Sequence, residues 1–140
     1  MWFYLGVIIS IILLLSGCSN SKKDVEVNYG IPWEKDLKTA FTKAKKENKK
    51  LLIMAVSKGC RWCEKMKKET LSNRKVAKRL EKYILVKADR ETSSERDQLP
   101  PFKHVPIIFF MTPDKEVIDN LRGYFEPEDF LEYITELEDD

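Results

Sequence analysis

The sequence has almost no net charge, a single histidine, no internal repeat and no low-complexity tract. Twenty-five Lys and Arg against 23 Asp and Glu leave a formal charge of +2 over 140 residues, which gives no electrostatic reason to expect nucleic acid as a partner. Charged residues at 34% and hydrophobic residues at 43% exclude a mostly disordered chain and a multi-span membrane protein. The length suits one domain of ordinary size with a short appendage. What charge there is lies unevenly. Residues 1–21 carry none, residues 58–82 hold ten basic and three acidic side chains, and residues 113–140 hold two basic and eleven acidic ones.

The uncharged start contains one apolar run, Trp2 to Leu15, ending in Leu15-Ser16-Gly17-Cys18. A short apolar stretch before small residues reads as a cleavable secretory signal, with an uncleaved membrane anchor as the alternative. Leu-Ser-Gly-Cys resembles the lipobox of bacterial lipoproteins, although no Lys or Arg precedes the run. That resemblance implies a signal peptide over 1–17 and a lipid on Cys18. The polar segment 18–29 then reads as a tether and 30–140 as the folded domain. The expected location is a bacterial membrane, facing the periplasm or the cell exterior.

Hydrophobic spacing supplies the elements of the domain. Trp33, Leu37, Ala40, Phe41 and Ala44 recur at helical intervals and predict a helix over 33–48. The continuous run Leu51 to Val56 suits a strand buried on both faces. A second helix opens at Cys60, with Met66 and Leu71 inward and Lys65, Lys67 and Lys68 toward water, and Asn73 caps a third helical stretch. Strands are expected at 83–88, 105–111 and 116–121, and Pro127 opens a last helix. Residues 89–103 read as a loop with one helical turn, Gly123 as a bulge or strand end, and the acidic tail as a solvated face. This order predicts an α/β fold, a three-layer α/β/α sandwich around a mixed sheet of about four strands.

Three cysteines are present, Cys18, Cys60 and Cys63. With Cys18 lipidated, Cys60-Arg61-Trp62-Cys63 remains, and its two-residue gap brings both sulfurs to the first turn of a helix. A zinc ribbon would need a second Cys or His pair, and His104 is the only histidine. A structural disulfide would close a loop too small to restrict the unfolded chain much. A redox-active pair is therefore the favoured reading of the three, and it needs no metal and no cofactor.

A Cys-x-x-Cys helix after a buried strand, followed by Val105-Pro106 before Ile-Ile-Phe-Phe and a closing hairpin and helix, resembles the thioredoxin superfamily. Trp33, Trp62, Lys68-Glu69-Thr70-Leu71-Ser72 and Asp89 are similar to its exported, thioredoxin-related members. The likeness spans about 31–138. It implies that Cys60 is the nucleophile, Cys63 the resolving thiol and Pro106 a cis-proline. Val105 would offer backbone groups to an extended client. Trp62 reads as part of a flat apolar docking surface, with simple packing on the domain as the alternative. Two positions depart from the pattern. Met54 stands where the family has a buried acid, leaving Glu64 and Lys58 as the only nearby candidates to move protons, with plain surface charge as the ordinary reading of both. Lys68 stands where the family has a proline, so a straighter helix is expected.

Thiol exchange needs a thiolate, and the helix start, Arg61 and Lys58 are the groups expected to favour one at Cys60. The resemblance implies a membrane-tethered thiol:disulfide oxidoreductase, preferably a reductase. Neither a dimerisation domain nor an inserted helical domain is apparent in the sequence. A monomer is expected, with extracytoplasmic thiol or disulfide proteins as clients and a membrane protein as electron donor. The alternative is a non-catalytic lipoprotein that binds a metal or client thiol through Cys60, Cys63 and His104.

Overall fold

The structure, a computed structural model, describes residues 32–140. The apolar run, Cys18 and the whole of the tether lie outside the described residues. Among the described residues five strands form one mixed sheet in the order β1-β3-β2-β4-β5. They are β1 (Trp33–Glu34), β2 (Lys50–Val56), β3 (Tyr83–Asp89), β4 (Ile107–Met111) and β5 (Val117–Arg122). The first three are mutually parallel, and β4 and β5 run antiparallel to their neighbours. Helices α1 (Leu37–Glu47), α2 (Arg61–Lys65), α3 (Arg74–Leu80), α4 (Ser93–Arg96) and α5 (Pro127–Asp139) complete the domain. Among the described residues no helix is long and apolar enough to cross a membrane.

The central strand explains the three layers. Side chains alternate along β2, so Leu51, Ile53 and Ala55 pack with α1 on one face, while Leu52 and Met54 join Cys63, Leu80, Phe130 and Ile134 on the other. A strand covered on both faces must be apolar at every position, as Leu51 to Ala55 is.

Several boundaries differ from the sequence expectation. Trp33 is not helical. Asp36 accepts the Thr39 N–H at 2.7 Å and caps α1, so the helix starts at Leu37. Trp33 and Glu34 instead pair with Leu85 and Val86 of β3, and this two-residue edge strand makes the sheet five-stranded rather than four. Asn48, in the left-handed region at φ 51°, ends the helix with its N–H donating to the Ala44 carbonyl. Strand β4 begins after Pro106 rather than at Val105. Gly123, at φ +90°, follows the end of β5, and the register irregularity lies at Phe110 and Met111.

The segment after α2 is the largest departure. After α2 the chain winds as a π-helix over Met66–Leu71, a winding that the hydrophobic spacing did not predict. The wider winding buries Met66, Thr70 and Leu71 together, and the Thr70 hydroxyl donates to the Phe125 carbonyl. Asn73 then starts α3 as expected, accepting from the N–H groups of Lys75 and Val76.

The acidic tail is not wholly solvated. Glu138 takes Arg79 at 2.8 Å, Lys82 at 3.1 Å and the Tyr83 hydroxyl at 3.3 Å, tying α3, β3 and α5 together. Burial first, and then the Glu138 carboxylate, push the Tyr83 phenol from 10.0 up to about 12. Below pH 10 the phenol is protonated in both folded and unfolded chains, and its contribution to stability is complete. As pH rises from 10 toward 12 the unfolded phenol ionises first, so stability falls. Urea unfolding at stepped alkaline pH should show this loss, with a shallower slope in Tyr83→Phe. An unchanged slope in that variant would refute the assignment.

Candidate active site

Cys60 sits at the end of the loop that leaves β2, at the carboxyl edge of the parallel strands. Its sulfur caps α2, accepting the Cys63 N–H at 3.1 Å, while its carbonyl accepts the Glu64 N–H at 3.2 Å. Cys60 and Cys63 form a disulfide with Cα atoms 5.2 Å apart. The two ends of the bond are unequal. Cys60 is half-buried, whereas Cys63 is 3% exposed and belongs to the core beneath the helix. An incoming sulfur therefore reaches Cys60 first.

Pro106 is buried at the same sheet edge, directly before Ile107, which pairs with Ala55 near the end of β2. The Val105–Pro106 bond is cis, and the Pro106 carbonyl accepts the Gly123 N–H at 2.9 Å. Val105 is half-buried and, like Cys60, packs against the core that contains Cys63.

Trp62 is 49% exposed, the most exposed large apolar residue described. Its ring lies 5.6 Å from that of Tyr124, and the Lys65 ammonium sits 4.2 Å from the Tyr124 ring and 5.4 Å from the Trp62 ring. Tyr124 donates to Glu69 at 2.9 Å. Desolvation, then the Glu69 and Glu126 carboxylates, push this phenol up to about 12. Arg61 is exposed, with its guanidinium carbon 6.0 Å from the Trp62 ring centroid, and Lys58 is exposed in the loop before Cys60. His104 is exposed two residues before Pro106. Among the described residues no group of three or more His, Cys, Asp or Glu is placed to hold a metal ion.

Beneath Cys63 lies a cleft of about 250 Å³, lined by Cys63 and Met54 together with Lys35, Glu64, Lys67, Lys87, Asp89 and Glu95. Sequence reasoning placed Glu64 near the pair, and it does line this cleft, carrying Lys67 at 3.4 Å. It missed Lys87 and Glu95 altogether and took Asp89 only as a mark of family likeness. The period of β3 held the signal, because Lys87 and Asp89 share a sheet face with Tyr83 and Leu85, which pack in the core with Cys63.

A Cys-x-x-Cys disulfide opening a helix at the edge of this mixed sheet, with a cis-proline before the antiparallel strand β4, is the architecture of the thioredoxin-like proteins. Residues 21–135 match the family model described as "Thioredox_DsbH: Protein of unknown function, DUF255", and the chain belongs to that family. It is 34% identical over 107 residues to an uncharacterized protein of Caenorhabditis elegans, covering 70% of this chain and 14% of that one. It thus spans about a seventh of that relative's length. Among solved structures, a thioredoxin from Thermus thermophilus superimposes with a TM-score of 0.65 at 20% identity, covering 76% of this chain and 86% of that one. The DsbD C-terminal domain of Neisseria meningitidis, in its oxidised form, gives 0.59 at 22% identity, covering 71% and 91%. These likenesses establish the fold.

Proposed function

We propose that this protein is a thiol:disulfide oxidoreductase, tethered to a bacterial membrane by a lipid on Cys18 and acting as a reductase of extracytoplasmic disulfides. The observation that carries the redox reading is the asymmetric Cys60–Cys63 disulfide, half-buried at one sulfur and buried at the other. In the reducing direction the Cys60 thiolate attacks a client disulfide, the client S–S bond breaks with one sulfur leaving as a thiolate, and the other sulfur forms a mixed disulfide with Cys60. Cys63 then attacks Cys60, the client leaves as a thiolate, and the Cys60–Cys63 bond reforms. Two electrons pass to the client, and a membrane thiol donor restores the pair.

The Cys63 N–H that points at the Cys60 sulfur stabilises the thiolate, and the exposed cations Arg61 and Lys58 add to it. Trp62, with Val105 and Pro106 at the neighbouring edge, receives the client. The equilibrium reduction potential tests the direction. A value of about −270 mV supports a reductase, and one of about −120 mV would turn the reading toward an oxidant. The anchor is tested separately by intact mass. Cys18→Ser should abolish lipidation and signal removal, and a membrane-fraction chain still starting at Met1 with unmodified Cys18 would overturn the lipoprotein reading.

A further inference from the structure

Resolution of the mixed disulfide requires Cys63 to lose a proton while it is nearly sealed from solvent. A free cysteine has a pKa of about 8.5, so at neutral pH its thiol needs an acceptor. Met54, on the sheet face beneath the pair, has no group that can take one. The neighbouring strand carries the polar groups instead. In the β2–β3 register Met54 lies opposite Lys87, and Val56 lies opposite Asp89. Alternation along β3 puts both charged residues on the face that Cys63 covers.

We propose that Asp89 accepts the Cys63 proton through water held in the cleft, replacing the carboxyl that Met54 does not supply. This rests on the oxidoreductase reading above. A space of about 250 Å³ with several polar walls accommodates more than one water. Of its three carboxylates, Glu64 is exposed and engaged with Lys67. Glu95 is half-buried as well and accepts the Asp89 N–H at 2.8 Å, but it stands on α4 rather than on the strand that Cys63 covers. Asp89 is half-buried, and one of its oxygens accepts the Glu91 N–H at 2.9 Å, which sets the orientation of the carboxylate. Lys35, Lys67 and Lys87 face the same cleft and balance the charge gathered there. In the step itself the Cys63 S–H bond breaks and its proton passes by water to Asp89. The Cys63–Cys60 bond forms, the Cys60–client bond breaks, and the client thiolate takes its proton from bulk water.

Asp89 acts through water, so its role is read from a pH profile. Reduced protein is mixed with excess 5,5′-dithiobis(2-nitrobenzoate), and release of the coloured thiolate is followed in two phases. The first reports attack by Cys60 and the second attack by Cys63. Asp89→Asn should slow the second phase by at least about tenfold at pH 6–7, change the first by less than about twofold, and converge with the unaltered chain above pH 8.5. Asp89→Glu should restore much of the second phase. Equal slowing of both phases, or slowing that is the same at every pH, would overturn the proposal. The unaltered chain supplies a check that needs no variant to fold. A second phase already falling tenfold per pH unit below pH 8 would show that Cys63 has no acceptor. Absence of the first phase in the unaltered chain would instead remove the oxidoreductase reading, and this inference with it.

Discussion

Cys63→Ser will accumulate a mixed disulfide between Cys60 and its clients, and Cys60→Ser will accumulate almost none. The asymmetry follows from burial. Cys60 is half-buried at the cap of α2, whereas Cys63 is 3% exposed beneath it. A client sulfur can therefore be attacked by Cys60 without rearrangement, while Cys63 is placed to attack only what Cys60 has captured. Removing Cys63 removes release but not capture. The difference in trapped product should be on the order of tenfold or more, because exchange depends on thiolate character and access together. Non-reducing electrophoresis of acid-quenched cells, followed by mass identification of the Cys60 adducts, reads it directly. Equal trapping by both variants would reverse the assignment of roles.

Phe110→Ala will destabilise the domain by about 3–5 kcal/mol, a large share of the 5–15 kcal/mol typical of a whole domain. Phe110 is the fourth of the five residues of β4 and is fully buried. Its ring meets Tyr83 edge-on at 5.7 Å and Tyr133 at 5.7 Å, so it joins β3 to α5 through the sheet face that also carries Cys63. Truncation removes the apolar contact and both ring pairs, and it leaves a cavity that rigid strands cannot collapse to fill. Val117→Ala, at an exposed position of β5, should stay within about 0.5 kcal/mol. Urea unfolding measures both, and a loss below about 1 kcal/mol for Phe110→Ala would contradict the packing described.

What the sequence made legible is what neighbouring residues determine. The buried strand was readable because Leu51 to Val56 is continuously apolar, and the α3 cap because Asn73 precedes a helical pattern. The cysteine pair was readable from its spacing together with the buried strand before it and Val105-Pro106 after it. Features set by distant partners were not. Trp33 has helical spacing to Leu37, yet its conformation is decided by pairing with Leu85, 52 positions on. Glu138 looked like one more surface acid in a run of them, and only the fold brings Arg79, Lys82 and Tyr83 to it. The cleft under Cys63 is assembled from several separate stretches of chain, so no single window of sequence contains it.

The π-helical stretch after Cys63 also constrains how the family can vary in length. A π-turn has the register of an α-helix carrying one inserted residue, and each residue of an α-helix advances the face by about 100°. Met66–Leu71 is anchored downstream where Thr70 meets Phe125 and Glu69 meets Tyr124, and upstream where Trp62 meets the ring of the same Tyr124. Deleting one residue here would regularise the helix but turn its two ends out of phase. Either Cys63 would rotate away from the core or Thr70 would leave the chain segment before α5. Insertions and deletions should therefore be purged between Cys63 and Ser72 and accumulate instead in the 90–103 connection, whose helix α4 buries no residue.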